Sequence, residues 1–223
     1  MSTGTVGKET TPVTWIGRVR SVLERKLPYS KLLPEGQPAY VASWIYVFGV
    51  LTLGALFVIV VSGSILAFQG PYWFHISSTG LFVNSLHFWS VQLFFFFMVI
   101  HLSGKFWMAA WRGNRAWTWI TGVVAFLLAI GAGLSGYVVQ SNFDSQWVSF
   151  EAKDGLNAVG VGAWFNVANL GQDLLVHVFL MPAAIMVLVV VHLLLVRMHG
   201  VVPPIDAAEV TGPGVQNNAG ETP

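Results

Sequence analysis

The sequence has no cysteine and few charged residues. Because none of the 223 residues is cysteine, disulfide bonds, thiolate metal ligands and thioether links to a cofactor are excluded. Charged residues make up 9% of the chain, whereas soluble domains contain about a quarter. The net charge of +1 provides no basic surface for nucleic acid. A bound metal would have to use His, Asp, Glu or Met side chains, and the composition is that of a membrane protein.

Hydrophobic residues make up 55% of the chain, and four apolar segments are long enough to cross a membrane. A helix needs about 20 residues to cross the hydrocarbon core of a bilayer. These segments, which we call the first to fourth spans, cover residues 43 to 68, 81 to 104, 117 to 139 and 174 to 196. The sequence therefore predicts an all-α membrane protein with a bundle of four transmembrane helices.

The regions outside the spans are more polar. Residues 15 to 36 alternate apolar and basic side chains at helical spacing, which predicts an amphipathic helix on the membrane surface. Residues 1 to 14 and 206 to 223 have the composition of disordered segments, which leaves 15 to 205 as the membrane domain. The connection at 140 to 171 is expected to contain short surface helices.

The basic residues predict the orientation of the chain. Ten of the 11 Lys and Arg residues precede the first span, separate the second from the third, or follow the fourth. By the positive-inside rule, both termini are then cytoplasmic, in the inner membrane of a cell. The second and fourth spans both run from the outer face to the inner face.

Two histidines lie on each of these codirectional spans. His87 and His101 are 14 residues apart on the second, and His177 and His192 are 15 apart on the fourth. Fourteen residues make nearly four helical turns, a rise of about 21 Å. Pro182 offers a way to absorb the extra residue, because proline kinks a helix. We expect His87 to face His177 at an outer level, and His101 to face His192 at an inner level.

Two opposed imidazoles suit the iron of a six-coordinate haem. A single buried histidine is often only a hydrogen-bonding partner for a neighbouring helix, but ionisable groups inside a membrane are costly and usually functional. Zinc fits less well, because it prefers four ligands close together. The sequence therefore predicts two non-covalent haem groups, each held by a pair of histidines.

Glycines repeat with the same spacing on the other two spans. Gly49 and Gly63 on the first span are 14 residues apart, and so are Gly122 and Gly136 on the third. A glycine allows a flat macrocycle to approach the helix backbone. Close packing of membrane helices through small residues is the alternative explanation.

Three arginines, Arg112, Arg115 and Arg197, are expected at the inner edge of the spans. Their guanidinium groups are candidate partners for haem propionates. The positive-inside rule alone also accounts for them.

These features resemble the N-terminal, four-helix half of cytochrome b from Rieske/cytochrome b complexes. The resemblance covers about residues 15 to 205 and is closest to the short split form of b/f complexes; besides the glycines, it includes "SLHFW", "VIH", "RGNRAWTWITG", "HVFLMP" and "VVVHLLLVRMHG". It implies that His87 and His177 bind the outer, low-potential b haem. It also implies that His101 and His192 bind the inner, high-potential one.

The sequence departs from this family at the outer site. Phe88 and Gln172 stand where the family has arginines, and "VVQSNFDSQW" follows Tyr137 in place of the family's quinol-oxidation motif. The sequence contains no Pro-Glu-Trp-Tyr loop, and without cysteine it cannot attach the extra haem of the split form. The haem scaffold therefore resembles the family more closely than the outer quinol chemistry does.

The resemblance implies a di-haem cytochrome b subunit that moves electrons across the membrane within a quinone-linked oxidoreductase of a respiratory chain. It is not expected to act alone, and no catalytic residue is assigned. Quinone is expected near the inner haem, where Arg197 and His199 follow the fourth span and the imidazole would relay protons.

Two kinds of assembly remain open. In a bc-type complex, a Rieske iron-sulfur protein and a cytochrome b C-terminal-half subunit would supply the missing outer residues. Alternatively, the chain would serve as membrane anchor and conduit for a dehydrogenase, hydrogenase or nitrate reductase. A haem-free membrane scaffold or transporter subunit is the hypothesis of a different class. No role is assigned to His75.

Overall fold

The computed structural model describes residues 14 to 33 and 38 to 204, and the regular structure in these ranges is entirely helical. The segments 1 to 13 and 205 to 223, which contain nearly all of the predicted disorder, lie outside the described residues. The chain divides into two units, Met1–Gln37 and Pro38–Pro223. We describe each of them by itself.

The first unit contains an amphipathic helix, α1, which covers Trp15–Lys26 and is shorter than the helix predicted over residues 15 to 36. Its first turn is capped by Thr14, whose Oγ1 accepts a hydrogen bond of 3.1 Å from the backbone N–H of Gly17. Ile16, Val19 and Leu23 are exposed and recur at helical spacing, so they form one apolar face. Such a face is suited to the membrane surface. A second short helix, α2, covers Tyr29–Leu32 after Pro28.

The second unit contains four helices that are long and apolar enough to cross a membrane, as predicted. In chain order its helices are α3 (Val47–Gln69, after a 3₁₀ turn at Trp44–Tyr46), α4 (Trp73–Ile76), α5 (Ser78–Trp107), α6 (Ala116–Val139), α7 (Phe143–Ala158), α8 (Leu170–Leu175) and α9 (Met181–His199). The first span is α3, the second α5 and the third α6. The fourth consists of α8, a π-helical turn at Val176–Leu180, and α9. The long connection, where short surface helices were expected, contains the 16-residue helix α7.

Two spans begin earlier than predicted, because polar residues cap them. Ser77 Oγ accepts a 3.2 Å hydrogen bond from the N–H of Gly80, so α5 starts at Ser78 rather than at residue 81. Asn169 Oδ1 accepts a bond of the same length from Gln172, so α8 starts at Leu170 rather than at residue 174. Hydropathy does not detect these polar first turns.

The π-helical turn ends two residues before Pro182. Proline has no N–H, and its ring clashes with the carbonyl four residues earlier, which disfavours a regular α-helix there. A π turn contains one more residue than an α turn. The extra residue between His177 and His192 is therefore absorbed beside Pro182, as the spacing suggested.

Candidate functional site

Each of the four span histidines lies against a glycine of a neighbouring span. The pairs are Gly63 with His87, Gly49 with His101, Gly136 with His177, and Gly122 with His192. A Cβ atom added to Gly63 would lie 2.9 Å from Cε1 of His87, closer than real Cβ contacts. The space that each glycine leaves open is thus taken by an imidazole ring.

These pairs establish the directions of the spans. The first glycine of the first span meets the second histidine of the second span, so these two helices are antiparallel, and the third and fourth spans are related in the same way. His87 also pairs with His177. From this pair the second span leads to Phe94 and the fourth to Ile185, which lie in one buried cluster, so the two spans run in the same direction. We call His87 and His177 the His87 level, and His101 and His192 the His101 level.

A repeated hydrogen-bond pattern holds three of the four rings. The Nδ1 atom of His87 lies 3.1 Å from the carbonyl oxygen of Ile59 and 3.0 Å from the hydroxyl of Ser62. Equivalent groups of the third span hold the other two rings. The Nδ1 atom of His177 lies 3.0 Å from the carbonyl oxygen of Ala132 and 3.2 Å from the hydroxyl of Ser135. The Nδ1 atom of His192 lies 3.0 Å from the carbonyl oxygen of Thr118 and 3.2 Å from the hydroxyl of Thr121. In every case the carbonyl belongs to the residue four positions before the glycine that contacts the ring. The hydroxyl belongs to the residue directly before that glycine.

This pattern determines which ring nitrogen carries the proton. A carbonyl oxygen only accepts hydrogen bonds, so Nδ1 must be the N–H donor. The hydroxyl of Ser62 donates its own hydrogen to the carbonyl of Val58 at 2.6 Å, and its oxygen is free to accept as well. The Nε2 atom of His87 therefore keeps its lone pair, which is the form that binds a metal.

His101 departs from the pattern. Its Nδ1 atom is buried and has no hydrogen-bond partner within residues 14 to 33 and 38 to 204. The residue before Gly49 is Phe48, which has no hydroxyl. Ile45, four residues before Gly49, lies in the 3₁₀ turn that precedes α3.

The His87 level has the dimensions of a bis-imidazole metal site. The ring centroids of His87 and His177 are 6.4 Å apart, and the ring planes are at 89°. Two metal–imidazole bonds of about 2 Å each, placed in line, require centroids about 6 Å apart. Within the described residues there is no group of three or more His, Cys, Asp and Glu side chains arranged around a metal position. The separation of the rings and the unprotonated Nε2 of His87 fit a haem that these two residues would hold.

An apolar layer lies between the two levels. Leu56, Phe94, Ala129 and Ile185 form a buried cluster, and each comes from a different span. Each also lies midway between the two histidines or two glycines of its own span. The two levels are therefore separate sites, divided by side chains from all four helices.

The basic candidates make contacts of their own. The guanidinium of Arg115 donates hydrogen bonds of 3.1 and 3.5 Å to the carbonyls of His199 and Gly200. These bonds stabilise the end of the fourth span. Arg112 donates to the carbonyl of Met108 at 3.5 Å, and Arg197 is exposed. The Nδ1 atom of His199 lies 3.1 Å from the hydroxyl of Thr118.

Two charged residues near the histidines were not selected from the sequence. Asp173, one turn before His177, is fully buried, and neither of its carboxylate oxygens has a hydrogen-bond partner among the described residues. Lys105 lies one turn after His101, with Nζ 3.8 Å from the centroid of the Tyr46 ring. Their four-residue offset from a histidine was visible in the sequence, as was the Ser or Thr before three of the four glycines.

The chain is similar to cytochrome b subunits of known complexes. It is 24% identical over 187 residues to the menaquinol:cytochrome c reductase cytochrome b subunit of Geobacillus thermodenitrificans, covering 74% of this chain and 84% of the relative. It is 29% identical over 141 residues to the cytochrome bc complex cytochrome b subunit of Chlorobaculum thiosulfatiphilum, covering 58% of this chain but 33% of that protein. Cytochrome b6 of Heliomicrobium gestii is 23% identical over 136 residues, which cover 56% of this chain and 64% of the relative.

A solved structure supports the fold. A chain of a hyperthermophilic respiratory Complex III superposes with a TM-score of 0.67 at 22% sequence identity, covering 85% of this chain and 56% of that one.

The family model described as "Cytochrome b(N-terminal)/b6/petB" matches residues 92 to 219, more than half of the sequence. This match includes three of the four span histidines, and His87 precedes it. The chain therefore belongs to the cytochrome b N-terminal family, whose members are multi-pass membrane proteins that bind haem.

Proposed function

We propose that this chain is a di-haem cytochrome b subunit that carries electrons across the membrane within a quinone-linked oxidoreductase complex. The observation that carries the proposal is the facing pair of His87 and His177, with ring centroids 6.4 Å apart. The relatives named as menaquinol:cytochrome c reductase and cytochrome bc complex subunits support the same assignment.

Four residues would hold the cofactors through Nε2. His87 and His177 would bind one haem b, and His101 and His192 the other. When bound, haem supplies a carrier for single electrons. The protein holds three of the four imidazoles, those of His87, His177 and His192, in the metal-binding tautomer through the carbonyls of Ile59, Ala132 and Thr118. The glycines leave room for the rings beside the helix backbone.

The apolar layer between the two levels also limits the access of solvent to the cofactors. Leu56, Phe94, Ala129 and Ile185 fill the centre of the bundle. A hydrophobic shell limits the access of solvent to a metal site and so influences its potential. This packing would separate the two cofactors by a layer of apolar side chains.

The basic residues support one orientation. Lys and Arg are concentrated at the ends of the spans near the His101 level, which would be cytoplasmic together with both termini, in the inner membrane. Quinone would then react near this level, where Arg197 is exposed and His199 follows it at the end of α9. Arg112 and Arg197 remain candidates for the propionates. Arg115 would contribute through Nη1, the guanidinium nitrogen that donates to neither His199 nor Gly200.

For the partners, we favour a bc-type assembly. A Rieske iron-sulfur protein and a subunit corresponding to the C-terminal half of cytochrome b would complete the site at the His87 level. The similarity to subunits named as parts of a cytochrome bc complex and of a menaquinol:cytochrome c reductase supports this choice.

One observation favours the alternative, a conduit for a different redox enzyme. Gln140 belongs to the diverged stretch after Tyr137, and its amide exchanges two hydrogen bonds of 3.2 and 3.3 Å with the amide of Asn84. This pair joins the second and third spans beside the region where the resemblance predicts quinol oxidation. A dehydrogenase, hydrogenase or nitrate reductase partner would exchange electrons at the His87 level without that site.

Histidine variants test the proposal directly. Each span histidine is replaced by alanine, and reduced-minus-oxidised spectra are recorded on membranes and on protein purified in mild detergent. His87→Ala and His177→Ala should abolish the same spectral component, and His101→Ala and His192→Ala should abolish the other. His75→Ala is the matched control, because His75 is exposed in α4 and should leave both components intact. Retention of both components in all four span variants would refute the assignment.

A further inference from the structure

We propose that the hydroxyl groups of Ser62, Ser135 and Thr121 tune the haem potentials. Phe48 occupies the fourth equivalent position, and it raises the potential at the His101 level because it leaves His101 without a hydroxyl acceptor. The proposal rests on the assignment of the four histidines as haem ligands. It adds three positioning residues and identifies the one position that departs from their pattern.

The three hydroxyls are placed in the same way. Ser62, Ser135 and Thr121 each precede a glycine, and their oxygens lie 3.0, 3.2 and 3.2 Å from Nδ1 of His87, His177 and His192. Each hydroxyl also donates to a carbonyl of its own helix, so its oxygen is turned into an acceptor for the histidine. Each of these rings therefore donates its Nδ1 proton to two oxygens.

The ring of His101 sits against its glycine like the others but has neither acceptor. A Cβ atom on Gly49 would lie 3.0 Å from Cε1 of His101, and one on Gly122 would lie 3.1 Å from Cε1 of His192. The helix backbone therefore approaches the two rings equally closely. The difference lies in Phe48, and in the 3₁₀ turn that contains Ile45.

The aromatic ring of Phe48 is engaged elsewhere. Its centroid lies 6.2 Å from that of Phe97, one turn before His101, and 5.8 Å from that of Trp44. The position thus contributes packing between the first and second spans in place of a hydrogen bond. His101 is left with a buried Nδ1 that has no acceptor among the described residues.

The missing acceptor has an electronic consequence. Donation from Nδ1–H to an oxygen makes Nε2 a stronger ligand, and losing such a partner typically lowers metal affinity by about 10- to 100-fold. A stronger donor favours oxidised iron over reduced iron and so lowers the potential. For a single electron, each tenfold change in that preference corresponds to about 59 mV. The His101 level should therefore have the higher potential, and electrons should collect there.

A serine introduced at position 48 tests this with a matched control. Phe48→Ser and Phe48→Ala both remove the aromatic packing, and only the first adds a hydroxyl. Potentiometric titration of the full chain, purified with its partners, should show a lower potential at the His101 level in Phe48→Ser than in Phe48→Ala, by about 59 mV for each tenfold change in the preference for oxidised iron. Lys105 stays in both variants, because a nearby cation also affects the potential.

The reciprocal variants remove hydroxyls from the other level. Ser62→Ala and Ser135→Ala should each raise the potential at the His87 level and speed the loss of that haem to an apo-protein acceptor. These changes remove one small group each and keep the carbonyls of Ile59 and Ala132. Ser62→Ala and Ser135→Ala therefore test the proposal even if the Phe48 variants fail to assemble.

Equal potentials in Phe48→Ser and Phe48→Ala, with both haems bound, would overturn this proposal and leave the proposed function intact. Unchanged potentials in Ser62→Ala and Ser135→Ala would also overturn it. Unmodified protein that binds no haem would instead refute the proposed function itself.

Discussion

The imidazole rings of His87 and His177 face each other with their centroids 6.4 Å apart. His87 lies against a glycine of the first span and His177 against a glycine of the third, so the two rings come from different antiparallel helix pairs. A group bound between the two rings would link the first and second spans to the third and fourth. Because a ligand that binds only the folded state stabilises it, cofactor binding and folding of this bundle should be coupled.

Replacing Gly63 with alanine should displace His87. The added methyl group would lie 2.9 Å from Cε1 of the imidazole. We expect Gly63→Ala to lose most of the haem at the His87 level, measured by haem content and reduced-minus-oxidised spectra.

Gly54→Ala is the matched control, because a Cβ atom there meets nothing within 4 Å. It should keep both haems and raise the free energy of unfolding by up to about 1 kcal/mol, because alanine favours a helix more than glycine does. A Gly63→Ala protein with two normal haems would show that close contact with this glycine is not needed.

Removal of one residue should have opposite effects in the second and fourth spans. Deleting Phe179, combined with Pro182→Ala, should convert the π turn to a regular α turn and keep His177 and His192 on one face. Deleting Phe96 should rotate His101 by about 100° relative to His87, because its helix has no extra residue to lose.

The two phenylalanines are a fair comparison, because they are 63% and 58% exposed. Haem content of the purified proteins is the measurement, with both haems retained in the first variant and at least one lost in the second. Equal loss of haem in the two variants would count against the role of the π turn.

Tyr46→Phe should weaken the attachment of the chain that follows the fourth span. The Tyr46 hydroxyl donates a 2.8 Å hydrogen bond to the carbonyl of Val202, a buried residue. Its loss should lower the free energy of unfolding by about 1 kcal/mol. Phenylalanine keeps an aromatic face for Lys105, so the change isolates the hydrogen bond.

Tyr40→Phe is the comparison, because its hydroxyl makes a longer bond of 3.3 Å to Val201. Thermal unfolding in detergent should show the smaller effect for Tyr40→Phe. If Tyr46→Phe unfolds at the same temperature as the unmodified protein, the bond contributes nothing to stability.

Asp173→Asn should stabilise the isolated chain. The carboxylate of Asp173 is fully buried and lacks a hydrogen-bond partner among the described residues, and burying an unpaired charge is costly. An amide of the same shape removes the charge, so the unfolding temperature in detergent should rise.

Asp144→Asn serves as the control. Asp144 is exposed in the first turn of α7, where a negative charge contributes only about 0.3 to 1 kcal/mol. A marked fall in the unfolding temperature of Asp173→Asn would mean that the carboxylate has a partner in the assembled protein.

The sequence was sufficient for the parts of the structure that depend on length and spacing. The four spans follow from apolar runs, and the repeat of 14 residues placed Gly63 at the level of His87 because a helix has a fixed rise and rotation. The extra residue before His192 was attributable to Pro182, although the π turn itself appears only in the structure.

Other features depend on contacts between helices and were not predicted. A serine before a glycine is common, so the role of Ser62 became visible only when its oxygen was found 3.0 Å from His87. The burial of Asp173 depends on how α8 packs against the third span, which hydropathy does not encode. The capped starts of α5 and α8 were missed because their first turns are polar.

The ratio of haem b to polypeptide is the most direct test of the two-level site. Protein purified with its partners in mild detergent should contain two haem b per chain, and His87→Ala and His101→Ala should each contain one. A ratio of one or none in the unmodified protein would contradict the assignment of the four histidines as two ligand pairs.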